Sequence, residues 1–208
     1  MKGLLLKDFY ITRDGLLMLL LTFIAVGAGL AFLISPWVLI VLAATTLSLQ
    51  AATTIQNDKS TQWNRFSATL PVSRAQVIGS KYLLYLLLCI TGIAVGIVVC
   101  SIASLFKQGF DMNELIKSCC LAVVVSLLPG SISIPCIFVF DEEKSVVGLV
   151  LSYIVTSGLF SGLIVLLKQF TDVKGNLFEI CGIAAVFSVV VFALSWLICP
   201  KRIAHRDM

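Results

Sequence analysis

The sequence predicts an all-α membrane protein in which six transmembrane helices follow a short N-terminal interfacial helix. Apolar residues make up 59% of the 208 positions and charged residues only 12%, which is more apolar surface than a water-soluble chain of this length can cover. Six stretches close to the length of about 20 residues that crosses a bilayer contain no Asp, Glu, Lys or Arg. They lie near 16–34, 36–56, 83–105, 118–140, 146–167 and 180–198.

The first fifteen residues predict a helix that lies on the membrane surface. A helical projection separates an apolar side with Leu5, Leu6, Phe9 and Tyr10 from a polar side with Lys7, Asp8 and Asp14. Such a division is typical of interfacial helices. A plain cytoplasmic extension of the first span is the alternative.

Proline and small residues indicate how the spans turn and pack. Ser35-Pro36 predicts a tight turn between the first two spans, because the residue before a proline avoids the helical conformation. Pro129 and Pro135 predict that the fourth span is bent or broken and that the carbonyl groups they free find partners within the protein. Small residues predict contact faces, either specific or as part of ordinary packing: Gly92 and Gly96 in the third span, and Gly148, Ser152 and Thr156 in the fifth.

The distribution of Lys and Arg predicts the orientation. Eleven of the 15 fall at the termini, in the 57–81 loop and near 141–145, and four fall on the other side. Because basic residues accumulate on the cytoplasmic side, both termini and the long loop are expected in the cytoplasm of a cell-membrane protein. The same bias accounts for the net charge of +4, so no nucleic-acid partner is needed to explain it.

The predicted spans lack the residues that most membrane chemistry needs. None contains an ionisable Asp, Glu, Lys, Arg or His, and His205 in the tail is the single histidine. Ion-coupled carriers and intramembrane hydrolases depend on ionisable groups at depth. A phosphate-binding G-x-x-x-x-G-K-[ST] loop is also missing. We therefore predict no catalytic residue, metal ligand or cofactor in this chain: either it is passive, or another polypeptide supplies its energy.

The polar loop "NDKSTQWNRFSATLPVSRAQVIGSKYL" is the exception in this apolar chain. Asn57 or Asp58 is expected to cap a short helix that ends at Leu70-Pro71. Ser73 and Gln76 predict a capping box that starts the third span. The loop is thus expected to be a structured reversal.

Trp63 and Phe66 are three residues apart and share a face of the predicted short helix. Two interpretations are open. The pair rests among lipid headgroups, as interfacial aromatics do, or it fills a groove on a soluble partner, where each side chain contributes about 1.5–3 kcal/mol on burial.

The loop resembles the cytoplasmic loop of the ABC type-2 permease family, in particular the small six-span permeases of phenol-soluble-modulin export. The opening "MKGLLLKDFY" and the six-span pattern extend the resemblance over residues 1–208, a single permease domain. The residues that match in the loop are Asp58, Trp63, Phe66, Leu70, Pro71, Ser73, Arg74, Ser80, Lys81 and Tyr82.

This resemblance implies a permease that pairs with itself or with a related permease and with two ABC ATPase subunits, which bind ATP and Mg²⁺. The loop at 57–72 would be the coupling helix, and "FDEEKS" would make a second contact. The docking residues so implied are Asp58, Lys59, Trp63, Asn64, Arg65, Phe66, Leu70, Pro71, Glu142 and Lys144.

A polar stripe follows the second span. Thr46, Gln50, Thr53 and Asn57 are spaced by three and four residues and share one side of the helix. They either join helices through hydrogen bonds or line a translocation path. A path with otherwise apolar walls suits an amphipathic or lipid-like solute, and the resemblance implies amphipathic peptides, such as phenol-soluble modulins or antimicrobial peptides.

Together these features predict the permease subunit of an ATP-driven exporter that works by alternating access. The alternative is a non-transport membrane scaffold or a lipid-handling membrane protein. The docking loop argues against the scaffold, and the missing ionisable residues argue against the lipid-handling protein.

Overall fold

The computed structural model describes residues 7–13, 15, 21, 23, 25, 29, 35–61, 74–107, 111–140, 142–170 and 173–204. Residues 7–13 are helical and are called the N-terminal segment below. The long helices of the described chain are α1 (Val38–Ser60), α2 (Arg74–Lys107), α3 (Met112–Val139), α4 (Glu142–Phe170) and α5 (Val173–Ala204).

Five helices of the described chain are long and apolar enough to cross a membrane: Val38–Lys59, Ala75–Ser104, Met112–Val139, Lys144–Gly162 and Ile180–Pro200. They confirm the last five predicted spans. The first predicted span, 16–34, lies almost wholly outside the described residues. The helices also extend beyond the predicted charge-free windows, because charged residues continue the helix at its ends. There the charged groups of the side chains need not lie among the lipid tails.

α1 packs along α2 at close range. A Cβ atom on Gly96 would lie 2.7 Å from the Cα atom of Ile40, and one on Gly92 would lie 2.9 Å from the Cα atom of Ala44. Only glycine allows the two backbones to approach this closely, so the predicted contact face is confirmed. The predicted turn before α1 is also confirmed, since the Val38 N–H bonds the Ser35 carbonyl at 3.2 Å.

α3 continues as a helix through both of its prolines, so of the two predicted outcomes, a bend or a break, the structure excludes the break. Pro135 lacks the N–H that would bond the Ser131 carbonyl one turn earlier. The Ser195 hydroxyl of α5 donates to that carbonyl at 2.8 Å instead. The freed carbonyl therefore finds its partner within the protein, as predicted, and α3 keeps its helical course.

Burial divides the helices into a centre and a periphery. In α1 and α3, 56% and 61% of the most apolar window is buried, against 22% and 28% in α4 and α5. The inner side of α4 carries the predicted small-residue row, in which Ser152 and Thr156 are buried and Gly148 lies against Cys136 of α3. Its outer side exposes branched apolar residues such as Val147 and Ile154.

Candidate functional site

The polar loop is shorter than the sequence predicts. α1 continues to Ser60 and α2 begins at Arg74, so 61–73 separate them, and of these 62–73 lie outside the described residues. The predicted docking residues Trp63, Asn64, Arg65, Phe66, Leu70 and Pro71 fall in that gap.

Asn57 and Asp58 do not cap a separate helix, and that prediction is wrong. Both lie in the last turn of α1. The Asn57 carbonyl accepts from the Thr61 N–H at 3.0 Å and from the Thr61 hydroxyl at 2.8 Å. Through these bonds Thr61 follows directly on the last turn of α1, as its C-cap. The Asp58 carboxylate is occupied by two lysines.

Four buried or partly buried charges meet at the base of the loop. We call Lys7, Asp8, Asp58 and Lys81 the charge cluster; they come from the N-terminal segment, the end of α1 and the third turn of α2. The Lys81 ammonium donates to both oxygens of Asp8, at 2.6 and 2.7 Å, and to Oδ2 of Asp58. All three of its N–H groups are thereby used.

Asp58 links the two lysines. Its Oδ1 accepts from Lys7 at 2.5 Å, while Oδ2 accepts from Lys81. Asp8, Asp58 and Lys81 are 1%, 6% and 3% exposed, and a charge removed from water to this extent needs an opposite charge close by. Counted over the described residues, two ammonium groups face two carboxylates, and their charges cancel.

The end of α1 is also tied to the end of α3. The Lys59 ammonium donates to the Ile137 carbonyl at 2.8 Å. Ile137 lies in the last turn of α3, where carbonyl groups lack an amide partner within the helix and attract cations. A small cavity marks where α1, α2 and α3 converge; it is lined by Ile55, Asp58, Lys59, Val77, Lys81, Ile137 and Phe138.

This contact brings the base of the loop beside the second predicted docking segment. "FDEEKS" starts at Phe140, directly after α3. Glu142 begins α4, and the side chain of Lys144 is exposed. The two segments, far apart in sequence, therefore start from the same end of the bundle.

The polar stripe on α1 is satisfied largely by its own helix. The hydroxyl of Thr46 donates to the carbonyls of Leu42 and Ala43, and that of Thr53 donates to the Gln50 carbonyl. The stripe is half-buried at Thr46, Gln50 and Thr53 and exposed at Asn57.

Gln50 and Gln56 show what this side of α1 meets. A Cβ atom on Gly15 would lie 2.2 Å from Nε2 of Gln50, so that amide lies directly against the backbone of Gly15. Nε2 of Gln56 is buried without a hydrogen-bond partner in the described chain, which is rare in folded proteins.

The sequence indicates a docking role for Asp58 but does not indicate the roles of Asp8, Lys7 and Lys81. The charge-free window at 83–105 leaves Lys81 outside the third predicted span, whereas Lys81 lies within an apolar spanning helix. A usable signal exists: Lys81 is flanked by the apolar runs "VIGS" and "YLLYLLL", and a lysine so placed needs a carboxylate partner.

Comparison with known proteins gives one finding. The sequence model described as "ABC-2 family transporter protein" matches residues 3–203. Neither curated proteins nor solved structures give a match.

Proposed function

This chain belongs to the ABC-2 family of transporter proteins, and on that basis we propose that it is the permease subunit of an exporter driven by a separate ATPase. The family match over nearly the whole chain is the observation that carries the proposal. A chain of apolar spanning helices with no phosphate-binding loop in its sequence fits a subunit that moves a solute and leaves ATP and Mg²⁺ to its partner.

The ATPase docks on residues 57–72, with a second contact from 140–145. The bond between Lys59 and the Ile137 carbonyl supports this arrangement, because it holds the bases of both segments together. Trp63 and Phe66 are the anchors that enter the ATPase, and Asn64, Arg65, Leu70, Pro71, Glu142 and Lys144 surround them. Asp58 and Lys59 lie at the end of α1, where the loop starts, and they fix the position of that end of the loop.

Two permeases and two ATPases form the working transporter, and amphipathic peptides are its substrates. Gln56, whose amide nitrogen is buried, directly precedes Asn57 of the polar stripe on α1. The stripe of Thr46, Gln50, Thr53 and Asn57 beside it forms one wall of the path between two permease copies. Since its hydroxyls are already bonded to their own helix, the wall is only weakly polar, as an amphipathic peptide requires.

The test is capture of the ATPase by a Trp63→Ala/Phe66→Ala variant. If both side chains are buried in the partner, association weakens by about 3–6 kcal/mol, and peptide-stimulated ATP hydrolysis is lost. The permease should still reach the membrane in normal amount, because both residues lie outside the spanning helices. Affinity purification from solubilised membranes, followed by an ATPase assay with a panel of amphipathic peptides, measures both effects.

Trp37→Ala is the matched control, since it removes a half-buried aromatic residue at the other end of α1. That variant should capture the ATPase like the unchanged chain. Full capture by the double variant, or its failure to insert, would favour the headgroup interpretation of Trp63 and Phe66 instead.

A further inference from the structure

The charge cluster lies where the loop joins the helix bundle, so a displacement of the loop would be transmitted to the helices at this point. Asp58 is two residues before Ser60, the last residue of α1, and Lys81 is seven residues after Arg74, the first residue of α2, about 10 Å along that helix. The end of α1 and the start of α2, which we call the two stems of the loop, therefore each contribute a residue to the cluster. Half of its charged groups, Lys7 and Asp8, belong to a third element, the N-terminal segment.

The bonds hold the N-terminal segment to both stems at once. Asp8 is bound to α2 because its carboxylate accepts two hydrogen bonds from Lys81. Lys7 is bound to α1 because its ammonium donates to Asp58. The Asp8 residue is also fixed on its own helix, where the Thr12 hydroxyl donates to its carbonyl at 2.5 Å. Shifting the segment along either stem would separate opposite charges in a buried place, where such separation is strongly unfavourable.

Stability alone does not account for these charges. Apolar residues of similar volume often replace buried ion pairs without loss of stability, and they would let neighbouring helices slide at little cost. Hydrogen-bonded charges fix one relative position. The opposite side of the segment is apolar and exposed, with Phe9, Tyr10 and Ile11 at 56%, 60% and 45%.

We propose that the charge cluster joins the N-terminal segment and both stems of the loop into one moving unit. When the ATPase displaces the loop, the segment moves with it and its exposed apolar side shifts against its surroundings. The N-terminal segment is thereby a second route by which ATP-driven movement reaches the bundle. This inference rests on the proposed function, because it takes the loop as the point where the ATPase acts.

The test compares two reporter positions in the permease–ATPase complex. Single cysteines are introduced by Tyr10→Cys or by Thr61→Cys, both at exposed sites, in a chain whose seven native cysteines are replaced by alanine. An environment-sensitive fluorophore on each reports the response to ATP. In the unchanged cluster, both reporters should respond with the same rate constant.

The decisive variant is Lys7→Met/Asp8→Leu. It removes the described bonds of Lys7 and Asp8 to Asp58 and Lys81 but leaves Asp58 bonded to Lys81, so these two opposite charges still balance each other and still join α1 to α2. We expect the reporter at 61 to keep its ATP response, the reporter at 10 to lose it, and peptide stimulation of ATP hydrolysis to be lost. Lys7→Arg/Asp8→Glu keeps the charges and should restore both responses. Arg13→Met is the matched control, on the exposed side of the same segment.

The outcomes separate this inference from the proposed function. A reporter at 61 that never responds to ATP overturns the proposed coupling at the loop, and this inference with it. A reporter at 10 that stays silent in the unchanged cluster, or that responds equally in Lys7→Met/Asp8→Leu, overturns the inference alone. If that variant does not fold, the comparison of rate constants at 10 and 61 in the unchanged cluster still decides the matter.

Discussion

Lys81 and Lys117 both bond a carboxylate, but they do so in opposite surroundings. The side chain of Lys81 is 4% exposed and faces two carboxylates. The side chain of Lys117 is 33% exposed and bonds Glu114 at 3.0 Å, one turn away on α3. Water solvates the second pair even when it separates, and it cannot reach the first. The same chemical contact therefore has very different importance at the two sites.

Replacing each lysine by methionine tests that difference. Lys81→Met leaves Asp8 and Asp58 buried with Lys7 as their remaining cationic partner among the described residues, and the permease should lose about 3–5 kcal/mol of stability. Lys117→Met should cost at most about 1 kcal/mol, as for exposed pairs. Thermal unfolding of each variant in detergent, followed by loss of the monodisperse elution peak, gives the comparison. Equal losses would show that burial does not decide the strength of the cluster.

At the scale of helices, α3 is held by donors from its neighbours. The Ser195 hydroxyl has one proton and donates it to the Ser131 carbonyl, so the Tyr82 hydroxyl must be the donor in its 2.8 Å contact with Ser195. This chain runs from α2 through α5 to α3. The Tyr82 ring also stacks on Trp196, with ring centroids 6.2 Å apart, so the polar chain lies among aromatic side chains.

A double-mutant cycle between Ser195 and Pro135 measures this bond. Ser195→Ala leaves the Ser131 carbonyl without its donor, at a cost of about 1–3 kcal/mol. In a Pro135→Ala background the restored N–H of residue 135 can bond that carbonyl, so Ser195→Ala should cost clearly less. Tyr82→Phe is the control that keeps the Ser195–Ser131 bond. Costs that add independently would show that Ser195 does not substitute for the missing amide.

Two glycines provide a matched pair for helix packing. Gly96→Ala places a Cβ atom 2.7 Å from the Ile40 Cα atom, so α1 and α2 must move apart and their contact loosens. Gly158 of α4 has nothing within 4 Å of the equivalent position, and Gly158→Ala should stabilise the helix by up to about 1 kcal/mol. Unfolding temperatures in detergent should therefore shift in opposite directions. A shift of the same sign in both would contradict the close approach of α1 and α2.

The sequence predicted the helices well because hydropathy acts over whole segments. The five described spans, the turn at Ser35-Pro36 and the glycine contact of Gly96 all follow from local patterns. The charge cluster does not, since Asp8 and Lys81 are 73 residues apart and meet only through the packing of three elements. The sequence likewise predicted that the carbonyl freed by Pro135 finds a partner within the protein but did not identify the donor, because Ser195 lies 64 residues away from Ser131.

At the scale of the whole molecule, the bundle is unevenly covered. α4 and α5 expose most of their apolar surface, as helices do when lipid or another subunit surrounds them. The charge cluster and the Lys59–Ile137 bond lie at one end of the bundle. Basic residues of the sequence are concentrated at that same end, which predicts that it is cytoplasmic.

Cysteine labelling in intact cells tests this orientation. In a cysteine-free background, single cysteines introduced at positions 60 and 205 should resist a membrane-impermeant maleimide, because both are expected on the cytoplasmic side. Cysteines at 110 and 173, which the distribution of basic residues predicts to lie on the other side of the membrane, should react. Permeabilised cells provide the control, since the first two positions should then label as well. Labelling of position 60 from outside would put the loop beyond the reach of any ATPase in the cytoplasm, and neither the coupling at the loop nor the role of the charge cluster would survive that result.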